Sequence, residues 1–317
     1  MKTIFISIPC LRDTEIYKTI DDIFSKAKDP SRVHVGLFYQ YASEEEKRYV
    51  ANQFLPNKNI RLALEDVQNS IGISKGRNGA KSLYRGEDYF LQIDSHTKFE
   101  KRWDSNLIDC FNDAIEYVGS DKVILTSYLN EYYYTKGIKV KRSLRKKTTK
   151  PTYNYMVNED LVLDFLPRWK NLTPDTNEPF LPARKFAANF TFTYGKYEKD
   201  LSLNEKTIFW SEEYLKSIDL LSLGYALVYP NREVGMTHLY ADHQNSYSGF
   251  RLALEDYVVD KEEMTRMFEE EASFVMSEIN SHPFKKQYEE YAGIRFGKRM
   301  CKTKFYQPSS FFLKDVV

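Results

Sequence analysis

The sequence predicts an α/β protein with a mainly parallel central sheet and helices on both faces of that sheet. Apolar, β-rich runs alternate with stretches of helical spacing over residues 3–93. Such alternation is typical of parallel sheets, because the helix that links two parallel strands covers one face of the sheet. The chain has 317 residues, which is enough for one large domain with an appendage.

The first predicted strand is residues 3–8, an apolar run rich in β-branched and aromatic residues. Residues 15–28 follow with apolar side chains at helical spacing, and Asp29-Pro30 ends this helix. The same two patterns then recur in order. They predict strands at residues 33–39, 60–64 and 89–93, and helices at residues 43–53 and 74–84.

After residue 100 the alternation loosens, although the same patterns remain recognisable. They predict helices at residues 103–118, 211–223 and 260–279, and strands at residues 123–127, 190–194 and 225–229. Residues 167–184 are rich in proline and predict a loop. Because no repeat or linker is visible, we expect one domain at residues 1–255, with a helical and basic appendage at residues 256–317 packed on it.

The composition excludes several classes of protein. A formal net charge of +1 excludes a global electrostatic attraction to nucleic acid or membrane, although it allows a local basic patch. Cys10, Cys110 and Cys301 lie far apart without CxxC spacing, which argues against a disulfide framework or a zinc–thiolate site. No stretch approaches the about 20 apolar residues of a membrane span, and the first apolar run is too short for a signal peptide. We therefore expect a cytoplasmic protein, in the host cytoplasm if viral, with no membrane partner.

The predicted strand at residues 89–93 ends in Asp94-Ser95-His96. In open α/β sheets, ligands bind beyond the carboxyl ends of the strands. A carboxylate and an imidazole two residues apart can point into one crevice and suit a divalent ion such as Mn²⁺. By itself, however, Asp-x-His is a weak motif that a surface turn explains more often than a metal.

The residues around this motif carry a longer pattern. An Arg-Gly-Glu-Asp-Tyr run at residues 85–89 precedes Asp94-Ser95-His96, and Trp103-Asp104 follows. This pattern resembles the N-acetylglucosaminyltransferases that modify hydroxyproline on a cytoplasmic protein and that have relatives in bacteria and viruses. The resemblance covers residues 1–110 closely and residues 185–240 more loosely. It implies a GT-A fold for residues 1–255, a nucleoside-diphosphate sugar donor, expected to be UDP-linked, and a divalent cation.

The resemblance also implies a set of metal ligands. Asp94 and His96 fall on the metal motif of the family, and His238 matches its later His-Leu-aromatic element. His243 is the alternative third ligand. Mn²⁺ is the expected ion and Mg²⁺ the alternative, since one carboxylate and two histidines form a recurrent metal geometry.

Further residues match positions that contact the donor sugar. Ser211-Glu212-Glu213 resembles a Gly-Glu-Glu element, with Ser211 in place of the glycine. Its carboxylates would bind sugar hydroxyls through charge-assisted hydrogen bonds. The alternative is that these acids only stabilise the start of a helix. Asn189 lies at a position near the donor sugar where the family more often has a small residue.

The nucleoside and diphosphate contacts are expected from two other segments. Ser7, Arg12 and Asp13 follow the first strand, where this class of enzyme cradles the nucleoside. Arg77 and Lys81 are alternative basic contacts for the diphosphate or the base. Asp94 would reach the donor as well, through the metal.

The resemblance implies retention of configuration at the anomeric carbon. No carboxylate is clearly placed as a nucleophile, so we expect the acceptor to attack from the face on which the leaving group departs. The leaving phosphate would then accept the proton of the acceptor. The enzyme would act through positioning and through electrostatic stabilisation of the diphosphate.

The sequence leaves the acceptor open among macromolecular hydroxyl groups. The resemblance implies a protein, whereas the lysines and arginines of residues 136–150 would favour DNA, because such clusters bind phosphates. The DNA acceptor would be hydroxymethylated cytosine, which some phages glycosylate, and the basic residues 295–304 could extend the patch. The tyrosines that could stack on bases are Tyr128, Tyr132, Tyr133 and Tyr134. A glycan is the third alternative.

A protein without catalytic activity is the remaining alternative. A binding module for nucleotide sugars would tolerate loss of the metal. A nucleic-acid-binding protein would bind in a salt-sensitive way and ignore nucleotide sugars. Metal-dependent release of nucleoside diphosphate distinguishes an enzyme from both.

Overall fold

The computed structural model describes residues 2–69, 71–135, 138–141, 153–162, 166–172, 177–208, 211–240, 260–296, 300–301 and 309–313. The strands are β1 (Ile4–Leu11), β2 (Val33–Tyr41), β3 (Ile60–Asp66), β4 (Tyr89–Ile93), β5 (Thr97–Phe99), β6 (Val123–Thr126), β7 (Asn130–Thr135), β8 (Ile138–Lys141), β9 (Tyr153–Val162), β10 (Leu166–Leu172), β11 (Phe180–Pro182), β12 (Phe190–Tyr194), β13 (Ala226–Pro230), β14 (Met236–Leu239), β15 (Ile294–Arg295) and β16 (Met300–Cys301). The helices are α1 (Glu15–Lys26), α2 (Glu44–Phe54), α3 (Ile73–Lys81), α4 (Trp103–Val118), α5 (Glu212–Ser222), α6 (Lys261–Ser281) and α7 (Lys285–Ala292). Of the helices described, none has the length and apolar character needed to cross a membrane.

Within the described residues, eight strands form the central sheet in the order β11-β13-β6-β12-β4-β1-β2-β3. The pairs β1–β4, β1–β2, β2–β3 and β6–β13 are parallel, which confirms the predicted mainly parallel sheet. Two strands are exceptions: β12 runs antiparallel to both β4 and β6, and the edge strand β11 runs antiparallel to β13. Its register sets Phe190 opposite Ile93, so Asn189 lies at the end of the sheet where Asp94 follows β4.

A second sheet, in the order β5-β14-β7-β8, lies beyond the carboxyl end of β4. Strand β14 pairs antiparallel with β5, and His238 stands opposite Thr97. The backbone N–H of Leu239 donates to the carbonyl oxygen of His96 at 3.1 Å. This pairing brings a residue from late in the chain beside the end of β4.

The hydrophobic core lies on both faces of the central sheet. Because side chains alternate along a strand, Ile4, Ile6 and Ile8 enter the cluster on the face covered by α1, α2 and α4, while Phe5 enters the other. That second cluster includes Ile218 of α5 and buried residues of α6 and α7. The C-terminal helices therefore share one core with the sheet.

Helix α3 packs unusually close to β1 and β2, because glycines line the contact. A Cβ atom at Gly79 would lie 2.3 Å from Cδ2 of Phe38, and one at Gly36 would lie 2.9 Å from the carbonyl oxygen of Ala80. Larger residues at these positions would force the helix away from the sheet. The close packing sets the position of Arg77 on α3.

The helices and strands predicted from periodicity are confirmed, with shifts of a few residues at their ends. The predicted loop at residues 167–184 is wrong in part, since it contains most of β10 and all of β11. Both strands accommodate proline: a register shift follows Pro167, and Pro182 ends an edge strand, where a missing N–H costs little. Helix α7 was not predicted, because its surroundings lack a clear apolar period.

Candidate metal centre

Asp94, His96 and His238 converge beyond the end of β4. One ligand atom from each residue lies within 4.8 Å of the others. His238 Nε2 lies 3.0 Å from Asp94 Oδ2, and the rings of His96 and His238 are 4.6 Å apart between centroids. One carboxylate with two imidazoles is a donor set that binds first-row divalent metals.

Local structure and sheet pairing together assemble these three side chains. Strand β4 is fully buried and ends at Ile93, and the hydroxyl of Thr97 donates to the carbonyl oxygen of Asp94 at 2.9 Å to close the turn. Asp94 and His96 therefore project from one tight turn. The pairing of β5 with β14 supplies His238.

Asp13 orients His96. Its Oδ2 lies 2.7 Å from Nδ1 of His96 and accepts a hydrogen bond from the hydroxyl of Ser95 at 2.7 Å, while its Oδ1 accepts from the backbone N–H of Glu15 at 2.9 Å. A carboxylate on Nδ1 favours the tautomer that leaves Nε2 free to bind a metal. Burial opposes a charge on His96, but Asp13, with Asp94 and Glu15, outweighs burial and raises the pKa of the imidazole. The side chain of Asp13 is thus engaged by residues 15, 95 and 96, whereas the sequence predicted a nucleoside contact.

Asp94 is held in its ionised form. Burial alone would raise its pKa, but the charge of Arg77 and the hydrogen bond with His238 lower that pKa well below its ordinary range. Nη2 of Arg77 donates to Oδ1 of Asp94 at 3.0 Å, and Nη1 donates to Oε1 of Glu212 at 2.5 Å. Arg77 is therefore a buried cation shared by two carboxylates.

The two acids that begin α5 have different surroundings. Both are buried, but Oε2 of Glu212 has no hydrogen-bond partner. Burial raises the pKa of Glu212 well above its ordinary range; Arg77 opposes this shift, and the nearby Glu213 reinforces it. Glu213 instead accepts hydrogen bonds from the backbone N–H of Ala188 at 2.8 Å and from the side chains of Tyr128 and Lys185. Glu213 therefore holds the chain that leads into β12, while Glu212 keeps an oxygen available.

Tyr240 links Asn189 to His238. Nδ2 of Asn189 donates to the hydroxyl of Tyr240 at 3.3 Å, and that hydroxyl donates to the carbonyl oxygen of Leu129 at 2.7 Å. The ring of Tyr240 lies 4.3 Å from that of His238 between centroids. The predicted sugar-contact position is thus joined to the metal centre.

The two basic residues predicted on α3 diverge in the structure. Arg77 contacts Asp94, whereas the ammonium of Lys81 contacts Glu198 at 3.0 Å and Ser202 at 2.7 Å. Arg77 is therefore the one of the pair that joins the candidate metal centre.

The residues predicted to cradle the nucleoside lie along and after β1. Ser7 is buried within β1, and Arg12, with a left-handed φ of 50°, pairs through Nε with Glu46 at 2.9 Å. The alternative ligand His243 and most of residues 136–150 lie outside the described residues.

Several buried polar atoms around this centre have no hydrogen-bond partner. Within the described part of the chain they include Ser7 Oγ, Arg77 Nε, Asn189 Oδ1, Glu212 Oε2 and His238 Nδ1. Buried polar atoms are almost always hydrogen-bonded in native proteins. All five belong to residues that the sequence analysis selected as site residues, and a polar ligand would satisfy them.

The structure overturns one predicted role and adds contacts that the sequence did not reveal. Tyr132 is fully buried, with its hydroxyl 3.3 Å from the carbonyl oxygen of His96, so its predicted stacking on nucleic-acid bases is wrong. The side chain of Tyr133 is not among those that the structure describes. Lys185 and Glu271 support the start of α5. No local pattern marks these two residues, because their partners are distant in sequence.

A family model described as Glycosyltransferase (GlcNAc) matches residues 3–59 and 45–248, which is well over half of the chain. The chain belongs to this glycosyltransferase family. The predicted class of enzyme is thereby confirmed. A search of curated proteins gives no significant match.

Solved structures similar to this glycosyltransferase include GalNAc-T7 with UDP, GalNAc and Mn²⁺, at a TM-score of 0.54 and 12% identity. That match covers 92% of this chain and 55% of the GalNAc-T7 chain, so the enzyme spans little more than half of that protein's length. S. aureus TarS 1–349 with UDP-GlcNAc is similar at a TM-score of 0.50 and 14% identity, covering 92% of this chain and 71% of that one. Both neighbours have the GT-A fold, which confirms the predicted fold class.

Proposed function

We propose that the enzyme is a Mn²⁺-dependent, retaining glycosyltransferase that moves a sugar from a UDP-sugar to a hydroxyl group on a macromolecule. The observation that carries this proposal is the convergence of Asp94, His96 and His238 beside buried polar atoms that lack partners. Residues 1–255 would form the catalytic domain, and residues 256–317 the appendage packed on it.

The side chains present fit a divalent metal. Asp94, His96 and His238 would hold the ion, with Asp13 orienting His96 from behind. A bound Mn²⁺ would supply Lewis-acid stabilisation of the negative charge on the departing diphosphate. GalNAc-T7, which has the same fold, has been solved with Mn²⁺, and Mg²⁺ is the alternative ion here.

A UDP-linked sugar is the donor that the comparisons favour. Both neighbours were solved with UDP or a UDP-sugar, and the family description names GlcNAc. UDP-GlcNAc is therefore the first donor to test. Ser7 and Arg12 would contact the nucleoside, while Arg77, Glu212 and Asn189 would contact the sugar-phosphate part through their unsatisfied atoms.

The surroundings of the two acids on α5 support front-face attack with retention. Glu213 has both carboxylate oxygens engaged by hydrogen-bond donors, so its role would be positioning. Burial raises the pKa of Glu212 and Arg77 occupies its Oε1, so Glu212 would be a poor nucleophile whose unpartnered Oε2 forms a hydrogen bond with the sugar. The leaving phosphate would accept the proton of the acceptor hydroxyl.

A hydroxyl group on protein is the first acceptor to test, because the sequence resembles enzymes that modify hydroxyproline. The alternative of hydroxymethylcytosine in DNA depends mainly on residues 136–150, most of which lie outside the described residues. Hydroxyproline-containing peptides and hydroxymethylated DNA can be compared as acceptors in one assay. Transfer to neither would leave glycans as the next class.

Metal-dependent release of UDP from UDP-sugars tests the core of the proposal. We expect release from at least one UDP-sugar with Mn²⁺ and none with EDTA. The variant Asp94→Ala should lose this activity, while Asp121→Ala, a surface control, should keep it. Release that is unchanged in Asp94→Ala would refute the proposed metal centre, and inversion seen by NMR of the product would refute retention.

A further inference from the structure

Glu271 is a buried carboxylate on the inner face of α6. The apolar residues of this face, Val275 and Ile279, follow at intervals of four residues and enter the core beside α5. Glu271 occupies the same face one turn earlier and is only 2% exposed, whereas Glu269 and Glu270 point to solvent. Burying a carboxylate is costly unless hydrogen bonds compensate for lost water.

The hydrogen bonds of Glu271 reach the start of α5. Its Oε1 accepts from the hydroxyl of Ser211 and from the backbone N–H of Ile208 at 2.9 Å. Ser211 precedes α5 but makes no side-chain cap of that helix, so its hydroxyl serves the contact with α6 instead. Glu271 also lies near the start of α5, where the helix dipole favours a carboxylate.

The segment held by Glu271 also touches the start of α3. The carbonyl oxygen of Ile208 accepts from the backbone N–H of Ile73, the first residue of α3, at 2.8 Å. The hydroxyls of Thr207 and Ser74 are 2.5 Å apart. One carboxylate of α6 thus binds the residues that precede α5, and those residues also contact the first turn of α3.

These two helices carry the ion pair at the candidate metal centre. Arg77 lies one turn into α3, Glu212 begins α5, and their side chains meet at 2.5 Å. A shift of either helix start would separate this pair and move Arg77 relative to Asp94. The hydrogen bond to Glu271 needs a hydroxyl at position 211. This need explains why Ser211 stands where the family that the sequence resembles has glycine.

We propose that Glu271 is a positioning residue that holds the starts of α3 and α5, so that Arg77 and Glu212 face the donor sugar together. This inference rests on the proposed function and assigns part of the site's geometry to the C-terminal appendage. It separates two contributions to donor binding. The nucleotide and metal depend on Asp94 and the histidines, whereas the sugar depends on the alignment set by Glu271.

Isothermal titration of the full chain with Mn²⁺ and either UDP or UDP-GlcNAc tests this division. Glu271→Ala and Ser211→Ala each remove the hydrogen bond between these two side chains and should weaken UDP-GlcNAc binding by roughly tenfold, the order expected when a hydrogen bond to a carboxylate is lost. UDP alone should bind them as it binds wild type. The matched control is Glu270→Ala, at an exposed acid on the same helix, which should preserve both affinities.

The ratio of the two affinities distinguishes positioning from general stability, because a merely structural role would leave it unchanged. A wild-type ratio in Ser211→Ala and Glu271→Ala would overturn the inference alone. If Glu271→Ala does not fold, Ser211→Ala decides the outcome. Wild-type protein that binds neither UDP nor UDP-GlcNAc would overturn the proposed function, and the inference with it. If wild type bound UDP and UDP-GlcNAc with equal affinity, the sugar would add nothing to binding. That result would also overturn the inference.

Discussion

Arg77 and Asp94 form a partly buried ion pair, with Nη2 of the guanidinium 3.0 Å from Oδ1 of the carboxylate. The pair links the candidate metal centre to α5, because the other terminal nitrogen of Arg77 binds Glu212. The charge of Arg77 lowers the pKa of Asp94, and the hydrogen bond from Nη2 orients its carboxylate.

Removal of the Asp94 charge should strongly weaken metal binding. Loss of a residue that only hydrogen-bonds a metal ligand weakens metal affinity roughly 10–100-fold. Asp94→Asn alters a ligand itself, so its Kd for Mn²⁺ should rise by more than that. Titration followed by Mn²⁺ electron paramagnetic resonance measures this directly. Asp121→Asn, whose side chain is 53% exposed, is the control and should bind Mn²⁺ as wild type does. Equal Mn²⁺ affinity in both variants would contradict the proposed ligand set.

Asp13→Asn should weaken the metal site without removing a ligand. The amide can accept from the Ser95 hydroxyl but no longer carries the charge that orients His96, so Mn²⁺ affinity should fall roughly 10–100-fold. The visible spectrum of bound Co²⁺ should shift as well, since the geometry of the imidazole changes. An unaltered Co²⁺ spectrum and Mn²⁺ affinity would mean that Asp13 acts elsewhere, as in the nucleoside contact predicted from the sequence.

Glu213→Ala should destabilise the fold. It leaves the ammonium of Lys185, which is 1% exposed, without the carboxylate that neutralises it. Breaking a buried ion pair on one side costs about 3–5 kcal/mol. Urea unfolding measures this loss, and Glu269→Ala on the exposed face of α6 should change the unfolding free energy little. A loss of activity with full stability would instead indicate direct contact of Glu213 with the donor.

Glu212 should make the stability of the metal-free enzyme depend on pH. Its pKa in the folded state is raised above the ordinary 4.5, so folding favours the protonated form. The unfolding free energy of wild type should therefore fall as pH rises from the ordinary carboxyl range toward the raised pKa. Relative to wild type, Glu212→Gln should gain stability over that window, while Glu270→Gln should follow wild type. Parallel curves for wild type and Glu212→Gln would contradict the raised pKa.

Local sequence determined most elements of this protein. Apolar periodicity alone predicts β1 to β4 and α1 to α5, because burial on a sheet or helix face repeats every two or every three to four residues. Asp94 and His96 could also be selected as candidate ligands from the sequence, since they directly follow a predicted buried strand. The prolines of residues 167–184 were misleading, because an edge strand and a bulged hairpin tolerate them.

Tertiary structure decided which side chains complete the site. His238 lies beside His96 only because β5 pairs with β14. Asp13 contacts His96 from the segment between β1 and α1, and Glu271 lies on a helix near the end of the described chain. Lys81 was an equal candidate to Arg77 until packing directed it to Glu198. Apolar periodicity predicts which residues of a helix or strand face the core. The partners that a residue meets depend on sheet register and helix packing, which join residues far apart in sequence.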